Sequence, residues 1–311
     1  DGSSRYYYGV LNPTYNSGVA GIGYVGGRSA LGWDKLPSGA LVAAHEWGHN
    51  WGRNHAPCGM PSGIDPNYPR ADGSTGVYGL DVATATLEPP TYSDLMGYCS
   101  PKWISDYTYV GVLDYRSANP DVAGALSLAM QPCLLVWGHI ENGQPVLEPA
   151  FEIVTRPSLP ARGGDYALEG RAADGSRIFS FSFAPAEVAD DPRQGKIFAF
   201  AVPLAANRAS RLATLRLAGQ GREAITRRSA ALPQAGTRAP LALSRTGTGQ
   251  VALTWDAAAH PMLLVRDGGT GQVLSFARGG SIQLPAGNAN LSVGFSDGVG
   301  SSEMRVAVPS R

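Results

Sequence analysis

Apolar and polar positions change rhythm along the chain. Beyond residue 132 they come in short runs: 134–140 reads as a strand closed by the turn Glu141-Asn142-Gly143, and 151–155, 166–170, 177–183, 196–202 and 213–217 continue the series. Ser180-Phe181-Ser182-Phe183 alternates with period two, as one face of a half-buried strand does. A second series follows at 250–255, 262–266, 272–277, 281–284, 289–295 and 304–308, with glycine-rich turns between. Regular short strands of this kind predict all-β sandwiches. The first 120 residues read differently. There the apolar run Leu41-Val42-Ala43-Ala44, with Pro37 and Ser38 just ahead of it, predicts a helix.

Composition sharpens the division. Twelve of the 13 tyrosines precede residue 116, whereas all eight phenylalanines follow residue 150. The implied organisation is a first domain at 1–120, a β-sandwich at 132–219, a linker at 220–239 and a second sandwich at 240–311. With 25 basic and 25 acidic residues the net charge is zero, which gives no electrostatic footprint for nucleic acid. No apolar run reaches the ~18–20 residues of a membrane-spanning helix. The first residue is Asp1, so the chain reads as a processed form or a fragment.

The chemistry concentrates in one place. Three of the five histidines lie in His45-Glu46-Trp47-Gly48-His49-Asn50-Trp51-Gly52-Arg53-Asn54-His55, an H-E-x-x-H-x-x-G-x-x-H pattern without a mismatch. Residues four apart share one helix face, so His45 and His49 can hold one metal ion while Glu46, one step round, reaches a bound water. Gly52 can take the positive φ that ends a helix sharply, and His55 can then fold back as third ligand. Three neutral nitrogens and one water make an open tetrahedral zinc site of catalytic type. One zinc ion is therefore the expected cofactor. Asp65, Asp72 and Asp81, in a Pro/Gly-rich stretch, are candidates for calcium, although carboxylates there commonly serve turn geometry.

At these residues the chain resembles the metzincin metallopeptidases. Tyr92-Ser93-Asp94-Leu95-Met96-Gly97-Tyr98 looks like their Met-turn, which places Met96 beneath the three imidazoles. Tyr98 resembles the swinging ligand and oxyanion stabiliser of astacins and serralysins; the alternative is a packed tyrosine lining the substrate pocket. Ala56 matches none of the major branches, and a bacterial reprolysin-like or gametolysin-like group is the nearest. The resemblance implies an α+β zincin catalytic domain, followed by one or two all-β sandwich domains. It also implies an edge strand for extended substrate, here Val19, Gly21, Ile22, Gly23 and Tyr24, and brings Cys58 and Cys99 together below the metal as a disulfide, with two free thiols as the alternative. Only 44 residues precede His45, fewer than the family's several strands and backing helix occupy, so a missing N-terminal segment or prodomain is expected. In the second sandwich, 251–256 is similar to the second strand of fibronectin type III or immunoglobulin-like modules.

The function these residues imply is a secreted bacterial zinc endopeptidase acting on protein or glycoprotein substrates, with the β modules as candidates for glycan or cell-surface targeting. The alternative from another class is an adhesin or glycan-binding protein carrying a vestigial zincin domain.

Overall fold

The computed structural model describes residues 5–12, 18–120, 129–160, 162–190, 195–229, 241–246, 250–285 and 290–308. They form two compact units, one of Ser3–Leu126 with Ala186–Ile197 and one of the remainder.

The first unit, here the helical unit, begins with β1 (Tyr7–Leu11), β2 (Gly21–Gly23) and β3 (Ser29–Trp33). They make a three-stranded sheet in the order β1-β3-β2, with β1 parallel and β2 antiparallel to β3. The helix α1 (Ser38–Asn50) follows and packs on β2 and β3. It stops where Gly52 takes φ 75°, with Gly52 N–H bonding His49 O and Arg53 N–H bonding Gly48 O. Then come the hairpin β4 (Gly79–Asp81) and β5 (Thr86–Glu88), and the short parallel pair β6 (Ser93–Asp94) and β7 (Lys102–Trp103). The helix α2 (Asp106–Ala118) closes this stretch, capped by Ser105, whose hydroxyl accepts from Thr108 N–H at 3.1 Å.

The second unit is built of strands. β8 (Gln131–Glu141), β9 (Gln144–Leu147), β10 (Phe151–Thr155), β11 (Tyr166–Ala172) and β12 (Arg177–Phe183) lead to the two-residue β13 (Ala186–Glu187), β14 (Lys196–Pro203), the short helix α3 (Ala206–Ala209), β15 (Leu212–Gly219) and β16 (Arg222–Arg227). Of these, Ala186–Ile197, with β13 and the first two residues of β14, belongs to the helical unit. The sheet β12-β11-β15-β16 faces strands β10-β8-β14 over a core containing Leu134, Leu168, Phe183, Leu215 and Leu217. β11 alternates buried and half-buried at every residue, the period-two signature of a strand with one face in the core. Each fully buried leucine contributes about 1.5–3 kcal/mol over exposure. The final strands β17 (Leu241–Arg245), β18 (Gln250–Trp255), β19 (Met262–Asp267), β20 (Val273–Ala277), β21 (Ser281–Pro285), β22 (Asn290–Ser296) and β23 (Ser301–Ala307) form sheets β17-β18-β21 and β20-β19-β22-β23 around Leu253, Val265 and Val293. Part of the stretch read as linker, Arg222–Arg227, is strand β16 pairing with β15; residues 230–239 lie outside the described ones.

The α+β class expected from the resemblance is corrected here. Among the described residues strand makes up 48% and helix 11%, with three helices, so the structure is mostly β. The helical unit is not the expected α+β zincin catalytic domain either. Its sheet has three strands, and no helix precedes α1 among the described residues. The physical reason is in the sequence: 40 glycines and 23 prolines break the chain into runs shorter than a helix needs. Two 13-residue segments escape.

Candidate metal centre

Helix α1 presents His45 and His49 one turn apart, and the chain past Gly52 returns His55 to the same point. All three side chains are buried. Each ring is held by its Nδ1: His45 on Leu95 O at 2.8 Å, His49 on Arg53 O at 2.7 Å and His55 on Ser62 O at 2.5 Å. A carbonyl oxygen only accepts, so each Nδ1 carries the proton. In a neutral ring Nε2 is then a bare lone pair. Burial, with His45 and His55 adding to it against the pull of Asp190, lowers the pKa of His49 to about 4, so that ring is neutral at pH 7.

The three Nε2 atoms face one another. His45 Nε2 and His49 Nε2 are 3.1 Å apart. A fourth acceptor joins them from a segment far along the chain: Asp190 Oδ2 lies 3.5 Å from His45 Nε2 and 3.4 Å from His49 Nε2, and Oδ1 lies 3.0 Å from His55 Nε2. Four acceptors packed this closely repel unless a cation lies among them. Four ligands at the ~2.0–2.1 Å of zinc bonds would stand about 3.3 Å apart in a tetrahedron. The donor set therefore fits zinc. Among the described residues this is the one group of side chains gathered for a metal.

Glu46 is 2% exposed, and its Oε2 has no hydrogen-bond partner. Burial first, then the charge of Asp190, push its pKa up to about 9, with Lys102 opposing. The glycines of β2 make room for it: a Cβ at Gly21 would sit 2.5 Å from Glu46 Oε1, and one at Gly23 would sit 2.7 Å from Glu46 O. A cleft of about 380 Å³ opens beside Glu46, lined by Val19, Gly21, Leu41, Val42, Tyr98 and Lys102 among others. Ile22 pairs with Leu31 of β3, while Tyr24 forms a bridge with Val188 on the opposite edge.

Met96 is 1% exposed and lies against Gly48, where an added Cβ would meet its Sδ at 2.3 Å. Asp94, fully buried, fixes the turn. Its carboxylate accepts from Met96 N–H at 2.8 Å, Ser105 N–H at 2.8 Å and Thr108 Oγ1 at 3.0 Å. Tyr98 is half exposed, with its ring 5.1 Å from that of His55, and its hydroxyl donates to Asp190 Oδ1.

Cys58 and Cys99 form a disulfide, with Cα atoms 5.6 Å apart and a separation of 41 residues. Tyr98 N–H also bonds Cys58 O at 2.7 Å, so the bridge ties the His55 loop to the Met96 turn. A closed loop of this length implies about 4 kcal/mol of stabilisation. Cys58→Ser is expected to lower the unfolding free energy by about 2–4 kcal/mol in a urea titration; an unchanged midpoint would deny the clamp. Cys133 is a free, buried thiol.

The calcium candidates are not gathered. Asp65 accepts from Asn67 N–H and Tyr107 Oη, Asp72 from Ser74 N–H, and Asp81 from Ala83 N–H. Each serves its own turn. Sequence reasoning missed Asp190, Lys102 and the role of Asp94. Asp94 sat within the quoted turn motif, but nothing local to Asp190 signals a metal-facing carboxylate.

No protein-family model and no curated protein matches this chain. Among solved structures it is similar to the central fibronectin-III array of RIM-binding protein, at 8% identity over 58% of this chain and 89% of that one, with a TM-score of 0.19. So low a score bears on neither fold nor function. No described helix is long and apolar enough to cross a membrane.

Proposed function

We propose that the chain is a secreted zinc-dependent endopeptidase acting on extended protein or glycoprotein segments. One observation carries the reading. Three imidazoles, each with Nδ1 on a backbone carbonyl, turn their Nε2 atoms on one point, beside a buried carboxylate oxygen with no partner. His45, His49 and His55 would hold the ion. When bound, it supplies a Lewis acid that acidifies water and polarises a carbonyl.

The remaining work falls to the chain's own groups. Substrate would add as a strand on the outer edge of β2, beside the cleft that Val19 and Gly21 line. Glu46 Oε2, free of hydrogen bonds, would take the proton of the attacking water and pass it to the leaving amine. A neighbouring cation would draw its raised pKa back down toward the working range. Tyr98, beside His55, would donate to the developing oxyanion. The Cys58–Cys99 bridge supports an oxidising, extracellular setting. The zinc motif and the Met96 turn support kinship with metzincins at the level of the site.

The test is cleavage of denatured casein by the zinc-loaded chain. Activity is expected to vanish with a chelator and return with zinc. A chain that holds one zinc and cuts nothing, with Asp190 in place or replaced by alanine, would instead favour a second reading. That reading rests on Asp190, which lies within 3.5 Å of all three Nε2 atoms: a closed, structural metal site in an adhesin or glycan-binding protein.

A further inference from the structure

The outer edge of the β1-β3-β2 sheet is already occupied from Gly23 to Val25, where β2 ends. Val25 N–H bonds Glu187 O at 3.2 Å, Tyr24 bridges Val188 in antiparallel register, and Ala189 N–H bonds Gly23 O at 3.0 Å. Residues 187–189 thus extend the β1-β3-β2 sheet by one strand, using backbone groups that an incoming peptide would need. This run belongs to the helical unit, in the hairpin where Ala186 pairs with Ile197 and Glu187 with Lys196. The next residue is Asp190. It takes φ 60°, a left-handed conformation that a non-glycine residue holds only when its surroundings fix it. Tyr98 Oη holds it by donating to Oδ1, and the Ala189 N–H bond to Gly23 O holds the residue before it; a cation shared with the three Nε2 atoms would hold it further.

We propose that residues 186–190 are a self-capping strand: the chain lays its own backbone along the substrate edge and sets the Asp190 carboxylate on the corner where water must stand. The inference rests on the peptidase reading. The cap resists cleavage because a side-chain carboxylate, and not a peptide carbonyl, reaches that corner, and Glu46 finds no water there to deprotonate. Tyr98 is engaged by the same carboxylate and cannot donate to an oxyanion. The folded chain is therefore latent, and the same surface accepts a substrate strand once 186–190 withdraws. Apparent affinity for any competing ligand falls by the fraction of chains that are open.

Two variants detach the cap by different means. Asp190→Ala removes the carboxylate and leaves the strand. Ala189→Pro removes the N–H that bonds Gly23 O and leaves the carboxylate. The full zinc-loaded chain and both variants are titrated calorimetrically with a peptide hydroxamate, which needs both the open corner and the strand edge. Metal content and casein cleavage are measured alongside. Each variant is expected to retain one zinc per chain, and to bind the hydroxamate and cut casein at least about tenfold better than the parent. Equal hydroxamate affinity in all three proteins overturns the cap, whatever the cleavage. Loss of zinc from Asp190→Ala also overturns it, because the aspartate is then a structural ligand. Improved hydroxamate binding with no cleavage by any of the three upholds the cap and sinks the peptidase.

Discussion

Glu46→Gln is expected to keep its zinc and lose peptidase turnover by about 10²–10⁴-fold, the range that a positioned general base supplies. Glutamine matches the carboxylate in shape, and Gly21 and Gly23 already leave space for that shape, so packing against β2 is preserved. The variant's amide cannot accept the proton of water at neutral pH. Since Glu46 lies outside the gathered ligand set, elemental analysis should find one ion per chain in parent and variant alike. Asp190→Ala is the better background, because removal of the cap makes the loss easier to measure. Full turnover in the double variant would remove Glu46 from the mechanism.

The same substitution has a stability signature once metal is stripped. The folded-state pKa of Glu46 stands at about 9, raised from 4.5 by burial first and by Asp190 second. The folded chain thus holds this proton more tightly than the unfolded chain does. Its contribution to stability is full below about pH 4.5 and is lost as pH rises toward 9. Glutamine does not ionise. The metal-free variant should therefore outlast the metal-free parent in urea at pH 8, and the gap should close toward pH 4.5. A gap that widened on acidification would contradict the assigned direction.

How much of this could be read in advance differs from site to site. The histidine spacing announces a shared helix face because 3.6 residues make a turn, and Gly52 announces the stop because φ 75° suits glycine. The strands of the two sandwiches declare themselves where alternation lasts five residues or more, as in β11 and β12. Strands of two or three residues, such as β6, β7 and β13, are too short for any period to show. The fold class went astray because the resemblance at one motif carried a whole domain's architecture with it. The motif spans a helix and a turn; the strands around it follow local glycine and proline. Asp190 was illegible for another reason. Its position depends on backbone pairing between segments remote in sequence, and an Asp-Asp-Pro run beside a strand reads as an ordinary turn.

Asp94→Ala should be the most destabilising single change in the helical unit, at about 3–5 kcal/mol. The carboxylate is wholly buried and satisfies three donors, Met96 N–H, Ser105 N–H and Thr108 Oγ1. Alanine strands all three away from water, and each orphaned group costs about 1–3 kcal/mol. The damage is not confined to one turn. Ser105 caps α2, so the helix start loosens as the Met96 turn does. Leu95 O, in that turn, fixes the His45 ring through Nδ1. Zinc affinity should therefore fall by about 10–100-fold, the usual cost of removing an outer-shell partner. Asp94→Asn separates the two effects. It keeps Oδ1 for Met96 and Thr108 but turns an amide N–H₂ toward Ser105 N–H, so it should lose stability while sparing the metal. Urea unfolding and zinc competition titration read the two quantities independently. If Asp94→Ala unfolds at the parent's midpoint, the carboxylate is no keystone; if it loses stability but binds zinc as the parent does, the path from Asp94 through Leu95 to His45 is broken as an explanation.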